Sequence, residues 1–316
     1  MNSTFSGHFG YRRLLRVTLP SIVMMIFTSI YCVTDGFFVS NFAGKAAFTA
    51  VNFIMPYLMI LGCVGFLFGT GGSALIGKTM GEGDRKHADR LFSMVICVTA
   101  LSGLALGVLG IVLLRPVAEL LGAEGELLEN CVRYGRLILI ANPAYVLQFA
   151  FQCLFATAGK PKLGLAVTVA AGVTNMVLDA LFVGVFRWGI AGAAAATLIA
   201  QCFSALYCLL VIRRIELLRL SREDFAPDFA IARRLLTLGA PMALQNGIIA
   251  VGGLVVQYVI NGFGFIVIAG LTATNKIFGL LELAAISYGF SMSTYAGQNL
   301  GAGKVDRIRQ GMRAAL

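Results

Sequence analysis

The sequence predicts an all-α polytopic membrane protein, and three observations carry that reading. Of its 316 residues, 58% are apolar and only 13% charged, with a mean hydropathy of +0.85, far more apolar surface than one water-facing fold can bury. The apolar residues gather into eight runs near 14–42, 48–77, 91–114, 131–156, 163–186, 190–212, 235–260 and 264–296. Each run exceeds the roughly 20 residues that a helix needs to cross the hydrocarbon core. Basic residues collect at alternate ends of the runs. Backbone polar groups cannot stay unpaired in lipid, so runs of this length are helices and not open sheet.

A net charge of +10 would suit a nucleic-acid binder if it formed one solvated patch, but here it follows topology. Arg12, Arg13 and Arg16 precede the first run; Lys78, Arg85, Lys86 and Arg90 follow the second; Lys160 and Lys162 follow the fourth. Six arginines between Arg213 and Arg234 follow the sixth, and Lys304, Arg307, Arg309 and Arg313 follow the eighth. The other side carries Lys45, Arg115 and Arg187 beside Glu119, Glu124, Glu126 and Glu129. The positive-inside rule therefore places both termini in the cytoplasm and the chain in the cytoplasmic (plasma) membrane. Span 1 is too long for a cleavable signal and is followed by no small-residue cleavage site, so it is read as retained. The seven cysteines form no CxxC pair and nearly all fall inside spans, which predicts small apolar packing groups and neither a disulfide nor a metal site.

An internal repeat organises the chain. TLPSIV at 18–23 resembles GAPMAL at 239–244, which aligns Pro20 with Pro241; FTAVN at 48–52 resembles LTATN at 271–275; GEGDRK at 81–86 resembles GAGKVDR at 301–307. Spans 7 and 8 thus read as a second copy of spans 1 and 2 in the same orientation, since an even number of crossings separates them. The predicted organisation is an N-terminal six-helix bundle over 1–212, a charged cytoplasmic linker over 213–234, and the first two helices of a second, parallel bundle over 235–316. Repeat logic predicts that the second bundle continues beyond Leu316, with the chain a fragment of a longer protein.

Residues 72–79 read GSALIGKT and match the phosphate-loop pattern GxxxxGK[ST]. A phosphate loop needs a strand before it and a helix after it, whereas here an apolar helix runs straight through the motif. The glycines are read as helix-packing positions, like Gly65/Gly69 and Gly103/Gly107 at four-residue spacing.

Ionisable groups inside spans are the sharpest functional signal, because each costs on the order of 2.5 to 3.5 kcal/mol on insertion scales. Asp35 lies in span 1 and Asp179 in span 5. Counted from Arg16 and Lys162, both lie roughly 26 to 28 Å along their helices, at matching depth in the outer half. Asn175 shares a face with Asp179, Tyr31 with Asp35, and Thr197 enters span 6 at about the same level. Carboxylates, amide oxygen and hydroxyl form an oxygen-rich cluster that suits a hard cation such as Na+ and equally a proton. The plainer reading is that each group pairs across helices and holds the bundle together. Gln148, Gln152, Gln245, Asn246 and Gln257 line a substrate path or bond between helices, and Lys276 and Glu282, six apart in span 8, join them as cavity candidates. Arg133 and Arg136 are read as snorkelling to the outer interface.

The motifs resemble those of the multidrug and toxic compound extrusion family, in order along essentially the whole chain. They are TDGFFVSNFAG from Thr34, GKTMGEGD from Gly77, LLGAEGE from Leu120, NMVLDALFV from Asn175, GIAGAAAAT from Gly189 and GQNLGAGK from Gly297. The resemblance implies two six-helix bundles in a V around a central cavity that opens alternately to either side, with twelve spans in all. It also implies a cation site at Asp35, Asn175, Asp179 and Thr197. The expected activity is antiport: export of organic cations or drugs in exchange for H+ or Na+, with no other cofactor, by a monomer working on small cationic amphiphiles. The alternative is a lipid-linked precursor flippase or polysaccharide exporter of related architecture, which should show more cationic residues inside its cavity. An enzyme is not expected, because HExxH, GxSxG and paired histidines are lacking.

Overall fold

The computed structural model describes residues 11–212, 229–261, 274, 278, 289 and 291–315. Every structural statement below concerns these residues, which are helical apart from short turns. Helix α1 (Tyr11–Phe38) continues into a wider π-helical turn at Val39–Ala43. α2 (Lys45–Glu82) and α3 (Arg85–Leu120) follow. At 38 residues α2 is about 57 Å long, so it projects beyond the roughly 30 Å hydrocarbon core or crosses it tilted. The α2–α3 turn has a local cause. Gly83 adopts φ 88°, a left-handed conformation that suits glycine, and the Asp84 carboxylate accepts the His87 N–H at 3.0 Å to cap α3.

α4 (Gly125–Ile140) and α5 (Asn142–Thr157) together make the expected fourth span, but it is bent by 53°. Pro143 explains the bend: its ring displaces the carbonyl of Leu139 and it has no N–H to offer it. The bend is packed against α3, where Asn142 Nδ2 donates to the Gly103 carbonyl at 3.0 Å and the bare backbone of Gly107 approaches the Leu139 carbonyl. α6 (Pro161–Asp179) likewise passes into a π-helical segment, Ala180–Val185, before α7 (Ile190–Ile212). Five of these helices are long and apolar enough to cross a membrane, and the bent α4–α5 pair makes a sixth. α8 (Phe229–Asn261) begins within the stretch read as linker and carries Pro241, as α1 carries Pro20. Residues 291–301 form α9, and α10 is Val305–Ala315.

One core cluster joins α2, α3 and α5 with Ile231 and Leu235 of α8, and a second, towards the other end, joins α2, α3, α4 and α7. α1 reaches the second cluster only at its end, through Phe38, and lies chiefly along α6, where Gly172 leaves room for Phe27 and Tyr31. The phosphate-loop lookalike at 72–79 is helix throughout. Its Gly72 is packed on Val95, and its Lys78 pairs with Glu82 at 3.6 Å. At the opposite end of the bundle Trp188, Phe182 and Phe186 stack with ring centroids 4.8 to 6.1 Å apart, and Trp188 is 55% exposed. Such an aromatic group is expected where membrane meets water. Arg115 pairs there with Glu119 and Glu129, which leaves Arg133 and Arg136 exposed to the surroundings. All seven cysteines are free.

Candidate functional site

Packing of α1 along α6 brings together the two carboxyl groups that share a depth in the sequence. Asp35 and Asp179 face each other; Asp179 immediately precedes one π-helical segment, Asp35 lies one turn before the other, and those two segments also touch. π-helical turns recur at functional sites because they re-aim side chains that a regular helix would send elsewhere. Asp179 is fully buried. Apart from the facing carboxyl group, no hydrogen-bond partner among the described residues reaches either of its carboxyl oxygens, nor Oδ1 of Asp35. Buried carboxylates are normally hydrogen-bonded or paired with a cation, so two that have only each other favour a proton or a cation shared between them.

Asn175, one turn before Asp179 and 4% exposed, donates from Nδ2 to Thr197 Oγ1 at 3.4 Å, which ties α6 to α7 beside the pair. The four residues expected to form a cation site are therefore gathered on three neighbouring helices. Two carboxylates, an amide and a hydroxyl are hard oxygen donors, of the kind that hold Na+ or a proton. No group of three His, Cys, Asp or Glu that could hold a metal ion occurs among the described residues.

Two neighbours were missed in the sequence. Tyr134 of α4, 4% exposed, lies close enough to interact electrostatically with both aspartates. Gln201, one turn beyond Thr197 on α7, is 9% exposed with its Oε1 unpartnered. Tyr134 sits between Arg133 and Arg136, whose charges mark an interface and not a buried site; the four-residue spacing of Thr197 and Gln201 is the sequence signal that puts both on one face of α7.

The cavity candidates divide. Gln148 is buried with Oε1 unpartnered, as a substrate or cation contact would be. Gln152 instead donates from Nε2 to Thr168 Oγ1 at 3.0 Å, a bond between α5 and α6. Tyr31 is half-buried against Gly172, one turn before Asp35. Gln245 is exposed on α8. Lys276 and Glu282 lie outside the described residues, as do the side chains of Asn246 and Gln257.

A bundle of membrane-length helices holding a buried carboxylate pair is that of a polytopic membrane protein, in which intramembrane acids commonly mark ion paths. The chain belongs to the MatE family, whose model matches residues 20–181 and 241–316. It is 23% identical to a probable multidrug resistance protein, YoeA, of Bacillus subtilis, over 97% of this chain and 68% of that protein. It is 24% identical to the multidrug export protein MepA of Staphylococcus saprophyticus, over 86% of this chain and 61% of that protein. A FAD transporter of Shewanella oneidensis is 25% identical over 96% of this chain. The chain thus spans about two thirds of the length of the curated relatives it matches. Among solved structures, a MOP superfamily transporter from Pyrococcus furiosus superposes with a TM-score of 0.91 at 21% identity, over 100% of this chain and 70% of that one. A MATE protein in complex with MaL6 gives 0.93 at 20%, over 100% and 71%. These likenesses establish the fold.

Proposed function

We propose that the protein is a secondary antiporter of the cytoplasmic membrane that exports small organic cations or drugs in exchange for H+ or Na+ by alternating access. The facing, unpartnered pair of Asp35 and Asp179 carries this reading. Two negative charges held together away from water repel each other and lack solvation, and an entering cation offsets both costs. A coupling ion acts only through its different affinity for two conformations. The pair supports such a difference because its halves lie on α1 and α6, and α1 is little buried by the rest of the bundle. An ion held between the aspartates draws α1 onto α6; its departure releases α1. Residues 1–212 form the coupling bundle in this reading, 213–234 the cytoplasmic linker, and 235–316 the start of the partner bundle.

The names of the relatives, multidrug export proteins among them, support export of organic molecules. The acidic character of the pair supports a cationic cargo that competes with the coupling ion. Gradient-driven efflux of a fluorescent organic cation from vesicles containing the full-length protein is the test. Asp35→Asn and Asp179→Asn should each abolish it; efflux that survives both substitutions overturns the proposal.

A further inference from the structure

α2 and α8 cross where Gly71 meets the Leu235 carbonyl and Gly239 meets that of Leu67. Beyond this contact, towards the basic end, a cavity of about 850 Å³ lies between the two helices. Lys78 lies seven residues beyond Gly71, and Arg233 and Arg234 lie six and five residues before Gly239. At 1.5 Å per residue all three cations stand roughly 8 to 10 Å past the crossing, at one level. Leu75, Thr237 and Leu238 line the same cavity nearer the crossing. Lys78 shares its charge with Glu82; Arg233 and Arg234, both exposed, form no salt bridge among the described residues.

We propose that this cavity binds the headgroup of an anionic phospholipid, its phosphodiester held by Arg233, Arg234 and Lys78 and its chain running over Leu75 and Leu238. Three features favour a lipid. The cations lie at the ends of two membrane-length helices, where headgroups lie. Guanidinium groups match phosphate oxygens in a two-pronged geometry. The wall turns apolar in the direction that an acyl chain takes. Basic pockets between membrane helices commonly hold such headgroups. Because α2 belongs to the first repeat unit and α8 to the second, a lipid seated here bridges the two, and it binds tightest when this end is closed.

The test is thermal unfolding of the full-length protein in detergent, titrated with phosphatidylglycerol, with phosphatidylcholine and with inorganic phosphate. Phosphatidylglycerol near saturation should raise the melting temperature by about 5 °C, while the other two leave it unchanged. Arg233→Gln/Arg234→Gln should lose the rise, and Arg233→Lys/Arg234→Lys, which keeps the charge, should retain most of it. Arg136→Gln, at an exposed position on α4, should respond as the parent does. If the double glutamine variant does not fold, Lys78→Gln supplies the comparison through a weakened lipid response. A full response in the glutamine variants overturns the proposal. So does an equal response to phosphatidylcholine, which would indicate general solvation, or to phosphate, which would indicate a free-anion site.

Discussion

Gly81 of α2 lies directly on the main-chain carbonyl of Gln298 in α9, so close that a methyl group there would overlap it. The contact has a mate: Gly301 lies in the same way on the carbonyl of Lys78. The two glycines are 220 residues apart, and so are Lys78 and Gln298, which makes the contact self-complementary between the repeats. The same relation recurs farther along the helices, where Thr18 Oγ1 donates to Ser291 Oγ at 3.3 Å and Gly71 meets Gly239. Gln298 also donates from Nε2 to the Thr157 carbonyl at 3.0 Å, fastening α9 to the end of α5.

Alanine at either clasp glycine forces backbones apart. Gly81→Ala and Gly301→Ala should each destabilise the protein by about 1–3 kcal/mol, read from unfolding in detergent. Gly252→Ala, with nothing near its Cβ position, should be neutral or gain up to about 1 kcal/mol from helix propensity. If alternating access operates, spin-label distances between α2 and α9 should also lengthen in the two clasp variants.

Gln152 was a cavity candidate, but its bond to Thr168 assigns it to helix packing. Gln152→Ala and Thr168→Ala should couple by roughly 0.6 kcal/mol in a double-mutant cycle, as membrane hydrogen bonds commonly do. Organic-cation efflux should survive each substitution. A loss of efflux at unchanged stability would return Gln152 to the substrate path.

Trp188 is the only tryptophan in the chain. It stacks with Phe182 and Phe186 at the α6–α7 turn, where an aromatic belt at the membrane–water boundary is expected. Depth-dependent quenching of its fluorescence by brominated lipids should therefore be strongest for labels near the headgroups and weakest for labels at the bilayer centre.

The first six spans and the meeting of Asp35 with Asp179 were legible in the sequence because both follow from length and charge placement, whereas most of span 8 lies outside the described residues. Counting residues from the basic ends fixes depth, and four-residue spacing fixes a face; depth and face together bring Asn175 to Thr197. The bend in the fourth span was encoded at Pro143 but hidden by the unbroken apolar run around it, since hydropathy does not register a missing N–H. The π-helical turns after both aspartates left no trace in composition. Tyr134 was illegible for a different reason. Its place beside the carboxylates depends on how α4 leans on α7, which is a matter of packing between helices and not of pattern along one.

If Asp35 and Asp179 together hold the coupling cation, melting the purified full-length protein over a titration with Na+, and separately with H+, at constant ionic strength will reveal it. One of these cations should raise the melting temperature of the parent protein, and Asp35→Asn and Asp179→Asn should each remove that response. A parent protein indifferent to both cations, or variants that respond as the parent does, would contradict this assignment.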